Sequence, residues 1–139
     1  MNIKTELVSH GLHCDNSIVI GSGILQVLEL RTSKDIDVVV TGEKYAELAQ
    51  TDRFRKEVSR GRELLKDDVC EIGTVWYVLG KEWKFADFLV HSVVIDGVRY
   101  ISLEFLLEVK RQWVQDDSVR QKDIDDVYLI EAYIERQKD

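Results

Sequence analysis

Proline is absent from all 139 residues. With it goes the residue that ordinarily stops helices, so element boundaries must be read from glycines, caps and hydrophobic spacing. Cysteine is nearly absent too. Cys14 and Cys70 show neither metal-ligand nor redox spacing, and both read as reduced, structural residues. No apolar run approaches the length that spans a membrane, and segment 1–16 lacks the apolar stretch of a signal peptide. The expected setting is cytoplasmic, with no membrane partner. Positive charge is in deficit: 19 Lys and Arg against 26 Asp and Glu leave a net charge of −7. General nucleic-acid binding depends on neutralising phosphates, so that balance disfavours it. No repeat, linker or low-complexity segment interrupts the chain, and residues 1–139 read as a single domain able to bury a core.

What is present concentrates in residues 17–41. Ile18-Val19-Ile20 reads as a buried strand, Gly21-Ser22-Gly23 breaks it, and Ile24, Leu25, Val27 and Leu28 follow at helical spacing. A polar turn, Arg31 to Lys34, leads into a second strand, Asp35 to Val40. Alternation along that strand puts Asp35 and Asp37 on one face, roughly 7 Å apart. Two like charges so placed repel, and a divalent cation would relieve them; Mg²⁺ takes carboxylate oxygens together with substrate phosphate and water. A helix opening at Ser22 would offer backbone N–H groups to an anion, and Gly21 and Gly23 would let backbone approach it closely.

A cation site on Asp35 and Asp37 would draw on a further carboxylate from elsewhere in the chain. Asp87 is the candidate, because it interrupts the apolar run Phe85-Ala86-Asp87-Phe88-Leu89-Val90, where an unpaired charge would cost several kcal/mol. The alternative is an exposed strand edge, or pairing with Lys84 or Arg99. Asp96, a turn residue, is the weaker competitor. Lys110 sits among apolar helix positions, where a lysine must snorkel outward or find an anion.

Gly21-Ser22, twelve intervening residues and then Asp35-Ile36-Asp37 resemble the signature of the nucleotidyltransferase (polymerase-beta-like) superfamily. Arg31-x-Ser33-x-Asp35-Ile36-Asp37 resembles the form found in abortive-infection-type nucleotidyltransferases. Arg120-x-Lys122-Asp123-x-x-Asp126, after a helix bearing Lys110, also looks like small members of that family. The resemblance spans roughly residues 17–41 and 84–130. It implies that Gly21 and Ser22 hold nucleotide phosphates, with Ser33 buttressing the turn and Lys110 neutralising charge. It further implies that Asp35, Asp37 and Asp87 are the catalytic acids and the ligands of two Mg²⁺ ions. Arg120, Lys122, Asp123 and Asp126 are better read as a salt-bridge network at a helix start.

The remaining elements follow in order. Ile3, Leu7, Val8 and Leu12 mark a short first helix; His10, His13 and Cys14 lie close in sequence, but no further ligand cluster accompanies them, which argues against a metal site. A polar helical region begins at Thr41-Gly42. The basic segment Arg53, Arg55, Lys56, Arg60 and Arg62 reads as a solvated helix face, the alternative being a surface for an anionic substrate. Strands are expected at Val69–Ile72, Val75–Leu79 and Lys84–Val90. Asp96-Gly97 signals a type I′ hairpin between Val93–Ile95 and Val98–Tyr100. Ser102 caps one helix, and Ser118 with Gln121 would form a capping box for the last. The expected fold is α/β (α+β): a nucleotidyltransferase-like mixed, mostly antiparallel sheet of about five strands, helices packed on one face, and two C-terminal helices.

The expected function is Mg²⁺-dependent transfer of a nucleoside monophosphate from an NTP to a hydroxyl acceptor: a small molecule, an RNA end or a protein. The alternative is a non-catalytic nucleotide- or partner-binding module, for example one half of a toxin–antitoxin or phage-defence pair. A homodimer that builds the acceptor cleft between subunits is a third reading.

Overall fold

The structure, a computed structural model, describes residues 1–116 and 119–138. It is built on β1 (Ser17–Ile20) and β2 (Ile36–Val40), antiparallel neighbours with Ile20 opposite Asp37. Their β-branched runs suit extended backbone. Ile18, Val19, Ile36, Val38 and Val39 are wholly buried, which requires cover on both faces of the sheet. Full burial of each such side chain contributes about 1.5–3 kcal/mol. The short helix α2 (Gly23–Val27) connects the two strands after α1 (Ile3–Ser9) has opened the chain.

β2 runs parallel to β5 (Cys70–Gly73), which places Asp37 level with Glu71. Beyond β5 lie β4 (Arg62–Lys66) and β3 (Arg55–Ser59), both antiparallel to their neighbours. On the other side β1 runs parallel to β9 (Val98–Ile101), and β8 (Ser92–Ile95) closes the edge. The result is a mixed seven-stranded sheet, β3-β4-β5-β2-β1-β9-β8, rather than one of about five strands. The surplus comes from the basic segment. Helix α3 (Gly42–Ala49) ends before it, and Arg55 to Lys66 forms a hairpin, turning at Arg60-Gly61 where both φ values are positive. Asp96 and Gly97 turn the β8–β9 hairpin with φ 51° and 79°, as a type I′ turn demands. A separate two-stranded ribbon, β6 (Val75–Val78) with β7 (Lys81–Lys84), stands apart from the main sheet.

Residues 84–90 are not the expected strand. After β7 the chain makes α4 (Phe85–Phe88) and a 3₁₀ turn, Leu89–His91. Phe85 and Phe88 would face opposite ways on a strand but share one side of a helix. Phe88 is fully buried, its ring 5.7 Å from Trp83, 5.8 Å from Phe105 and 6.3 Å from Trp76. Aromatic packing here outweighs β-propensity.

Helices cover both faces of the sheet, not one. The side chains of Ile3 and Val19 crowd position 23, which sets α1 and α2 on the Val19 face. Ile20, Asp37 and Glu71 alternate to the opposite face. There Lys110 and Trp113 of α5 (Leu103–Val114) line a cleft with them. Ser102 caps α5 as expected, accepting from the Phe105 N–H at 3.2 Å. Ser118, half of the expected capping box of α6 (Gln121–Gln137), lies outside the described residues. Among the described residues no helix is long and apolar enough to cross a membrane.

A buried ion network locks this corner. Lys110, 3% exposed, donates to Asp123 at 3.0 Å and reaches Asp126 at 2.9 Å. Arg31 forks onto both oxygens of Asp126 at 2.6 and 2.7 Å, and Arg120 pairs with Asp123 at 3.2 Å. Burial opposes the charge on Asp126, but the bonds from Arg31 and Lys110 outweigh it and hold its carboxyl below the usual range. The network thus joins α5, α6 and the turn before β2. Removing one partner from a buried ion cluster costs about 3–5 kcal/mol. Lys110→Met should therefore lower unfolding free energy by roughly that amount in urea titration. Adding Asp123→Asn should recover part of the loss, because the stranded charge disappears.

Candidate active site

The cleft above Asp37 is lined by the Gly21–Ser22 turn, Asp35, Asp37, Glu71, Lys110 and a rim of basic and aromatic side chains. Its volume is about 500 Å³, in the range of small-molecule sites. Gly21 adopts φ 67°, and a Cβ there would sit 3.2 Å from Asp37 Oδ2. Both backbone conformation and space therefore call for glycine. Ser22 precedes α2 without a side-chain capping bond, and that helix is too short to carry much dipole, so the turn's contribution is the N–H groups that a helix start leaves unpaired. Ser33 stays behind the turn. Its hydroxyl lies 2.9 Å from that of Ser22 and donates to the Asp35 carbonyl at 3.0 Å, while its N–H donates to Gln26 Oε1 at 2.9 Å. Ser33 is thus a buttress and does not line the cleft.

Asp37 and Glu71 project side by side from adjacent strands. Burial, followed by the hydrogen bond and charge of Glu71, raises Asp37 to about 7. Burial also works against Glu71, but hydrogen bonds from Asp37 and Lys66 outweigh it and hold its carboxyl low. The pair therefore favours holding one proton, on Asp37, below about pH 7. Lys66 steadies the pair, bridging Glu71 at 3.1 Å and Glu57 at 3.0 Å. Asp35 lies exposed, one residue before β2, and is the smallest of the influences on Asp37.

Asp87 is not brought to this cleft. It is exposed on α4, and its carboxylate accepts from the Lys84 N–H at 2.9 Å, capping the helix turn. The acid that stands beside Asp37 is Glu71, which sequence reasoning passed over. Like Asp87, it interrupts an apolar run: Glu71 is the lone charge within Val69-Cys70-Glu71-Ile72-Gly73, and that segment supplies the sheet strand. Lys110 does line the cleft, but its ammonium is held by Asp123 and Asp126 rather than presented to a ligand. The four residues read as a salt-bridge network do not all join it. Lys122 lines the cleft instead, and burial followed by the charges of Arg31, Lys110 and Arg120 pushes its pKa down.

Arg60 and Arg62 also line the cleft, so part of the basic segment is no solvated face; Arg53, Arg55 and Lys56 remain exposed. Burial pushes the Arg62 guanidinium down against the opposing charges of Asp37 and Glu71, and its buried Nε has no hydrogen-bond partner among the described residues. Trp76, Tyr77 and Trp113 form an aromatic wall. His10, His13 and Cys14 do not converge: His10 faces Asp67 at 3.1 Å, while His13 bonds Asn16 and Asp15. The chain matches no family model, no curated protein and no solved structure.

The proton on Asp37 has a consequence for stability. Unfolded, Asp37 titrates near 3.8; folded, it titrates at about 7. A raised carboxyl contributes stability fully present below the lower value and lost as pH rises through the upper one. Chemical denaturation across that window should show the parent losing stability relative to Asp37→Asn, with the variant the more stable above pH about 7.

Proposed function

We propose that the chain is a Mg²⁺-dependent nucleotidyltransferase that moves a nucleoside monophosphate from an NTP to a hydroxyl acceptor. The observation that carries this reading is the pairing of Asp37 with Glu71 against the Gly21 turn, in a cleft whose rim is basic. The donor set fits the metal: three carboxylates are hard oxygen ligands of the kind Mg²⁺ takes alongside substrate phosphate. Asp35, Asp37 and Glu71 would hold the ions, Glu71 in the place first expected of Asp87. When bound, Mg²⁺ neutralises triphosphate charge and lowers the pKa of the attacking hydroxyl.

The chain's own groups supply the rest. Asp37, in its ionised form, would stand as a ligand beside Glu71. Backbone N–H groups at Gly21 and Ser22 donate to phosphate oxygens, and Ser33 holds the turn in place for them. Arg62 and Lys122 add positive charge where pyrophosphate departs, and the Trp76–Tyr77–Trp113 wall offers a face to the base. Lys110 acts indirectly, fixing α5 and α6 at the rim. In-line displacement needs little more than such positioning and charge stabilisation.

Two variants separate Glu71 from Asp87. With labelled NTPs, Mg²⁺ and cell lysate as acceptor source, Glu71→Gln should cut label transfer by about 100-fold or more, equivalent to about 3 kcal/mol of transition-state stabilisation. Asp87→Asn, whose side chain still accepts from Lys84, should leave transfer unchanged. NTP binding with no transfer by the parent would instead favour the non-catalytic module.

A further inference from the structure

A second cluster lies on the opposite face of the sheet. Glu6 and His10 are one turn apart on α1 and its C-cap, hence on the same side. Cys70 opens β5 facing them, on the face that alternation denies to Glu71. A carboxylate oxygen, an imidazole nitrogen and the thiol sulfur all lie within 4.8 Å of one another. Cys70 is wholly buried, and the His10 side chain is 9% exposed.

The imidazole is oriented from outside. Its Nε2 pairs with Asp67 Oδ2 at 3.1 Å, and Asp67 is itself fixed, its Oδ1 accepting from the N–H groups of Val69 at 2.8 Å and Cys70 at 2.6 Å. Phe54 packs on the ring at 4.8 Å. Nδ1 remains, buried and without a hydrogen-bond partner among the described residues. An orphaned ring nitrogen beside a thiol and a carboxylate is costly without a ligand and natural with one.

We propose that Glu6, His10 and Cys70 form a binding site for a zinc-class divalent cation, with Asp67 orienting His10 from the second layer. The mixed S, N and O set suits a borderline-soft ion and excludes Mg²⁺ as its preferred occupant. Carboxylate–imidazole–metal is the ordinary arrangement around a ligating histidine. Zinc bonds of about 2.0–2.3 Å place tetrahedral ligand atoms roughly 3.5 Å apart, so the cluster needs to close by about 1 Å. Three ligands leave a fourth position for water. The cation would fasten α1 to β5 at Cys70, the residue directly before Glu71, and so brace the strand that carries the cleft's acid.

The test uses the tag-free full chain with metal alone. One equivalent of Co²⁺ should give a thiolate-to-cobalt charge-transfer band, and Zn²⁺ should displace it and raise Tm. The band should vanish in Cys70→Ser and persist in Cys14→Ser. Glu6→Gln, at a partly exposed position that leaves the core intact, should weaken Zn²⁺ binding by roughly tenfold or more. No charge-transfer band in the parent, a band retained in Cys70→Ser, or Zn²⁺ affinity unchanged in Glu6→Gln would each overturn the site.

Discussion

The architecture turns on one electrostatic constraint: two carboxyl groups, Asp37 and Glu71, are held side by side on adjacent parallel strands. Half-buried like charges cannot both ionise at low cost; the Asp37 carboxyl is pushed up, while Lys66 on Glu71 and the Arg62 guanidinium nearby offset the charge. None of these devices would be needed had either position been apolar, as their neighbours Ile36, Val38 and Ile72 are. In the proposed function a cation would take the place of the Asp37 proton at the mouth of the cleft. That exchange is the physical core of the proposed chemistry.

A second constraint holds the cleft's far wall. Asp126 is fully buried, and its cations come from two segments remote in sequence, Arg31 before β2 and Lys110 on α5. The Arg31 run and the Arg120–Asp126 run, each singled out in the sequence, meet there in space. Their charged residues divide the work. Arg31, Lys110, Asp123 and Asp126 fix the framework, while Arg62 and Lys122 are left facing the cleft. A buried network of this kind is weak evidence for stability; its bonds tie α5 and α6 to the turn before β2.

The parts of the fold legible in the sequence were those with local signals. The β-branched runs gave β1 and β2, Asp96-Gly97 gave the β8–β9 hairpin, and the Ser102 cap with its apolar stripe gave α5. Arg55–Lys66 was opaque because its edge strand, β3, buries little and its charges mimic a helix face; Gly61 was the only turn cue. Residues 84–90 failed for the converse reason, since β-rich composition hid an i, i+3 aromatic pair whose partners lie elsewhere in the chain. At the site, Gly21, Ser22, Asp35 and Asp37 were readable as one contiguous motif. Glu71 was not, because its meaning depends on β5 pairing parallel to β2, and parallel register leaves no local trace. The Glu6–His10–Cys70 cluster was hidden in the same way, by a long gap between helix and strand.

The most direct measurement is a crystal structure with Mn²⁺ in place of Mg²⁺ and a non-hydrolysable NTP analogue. The account predicts anomalous density bridging Asp35, Asp37 and Glu71, with the triphosphate against the Gly21–Ser22 turn. Metal held with Asp87 instead of Glu71, or triphosphate bound away from that turn with no metal at Asp37 and Glu71, would contradict it.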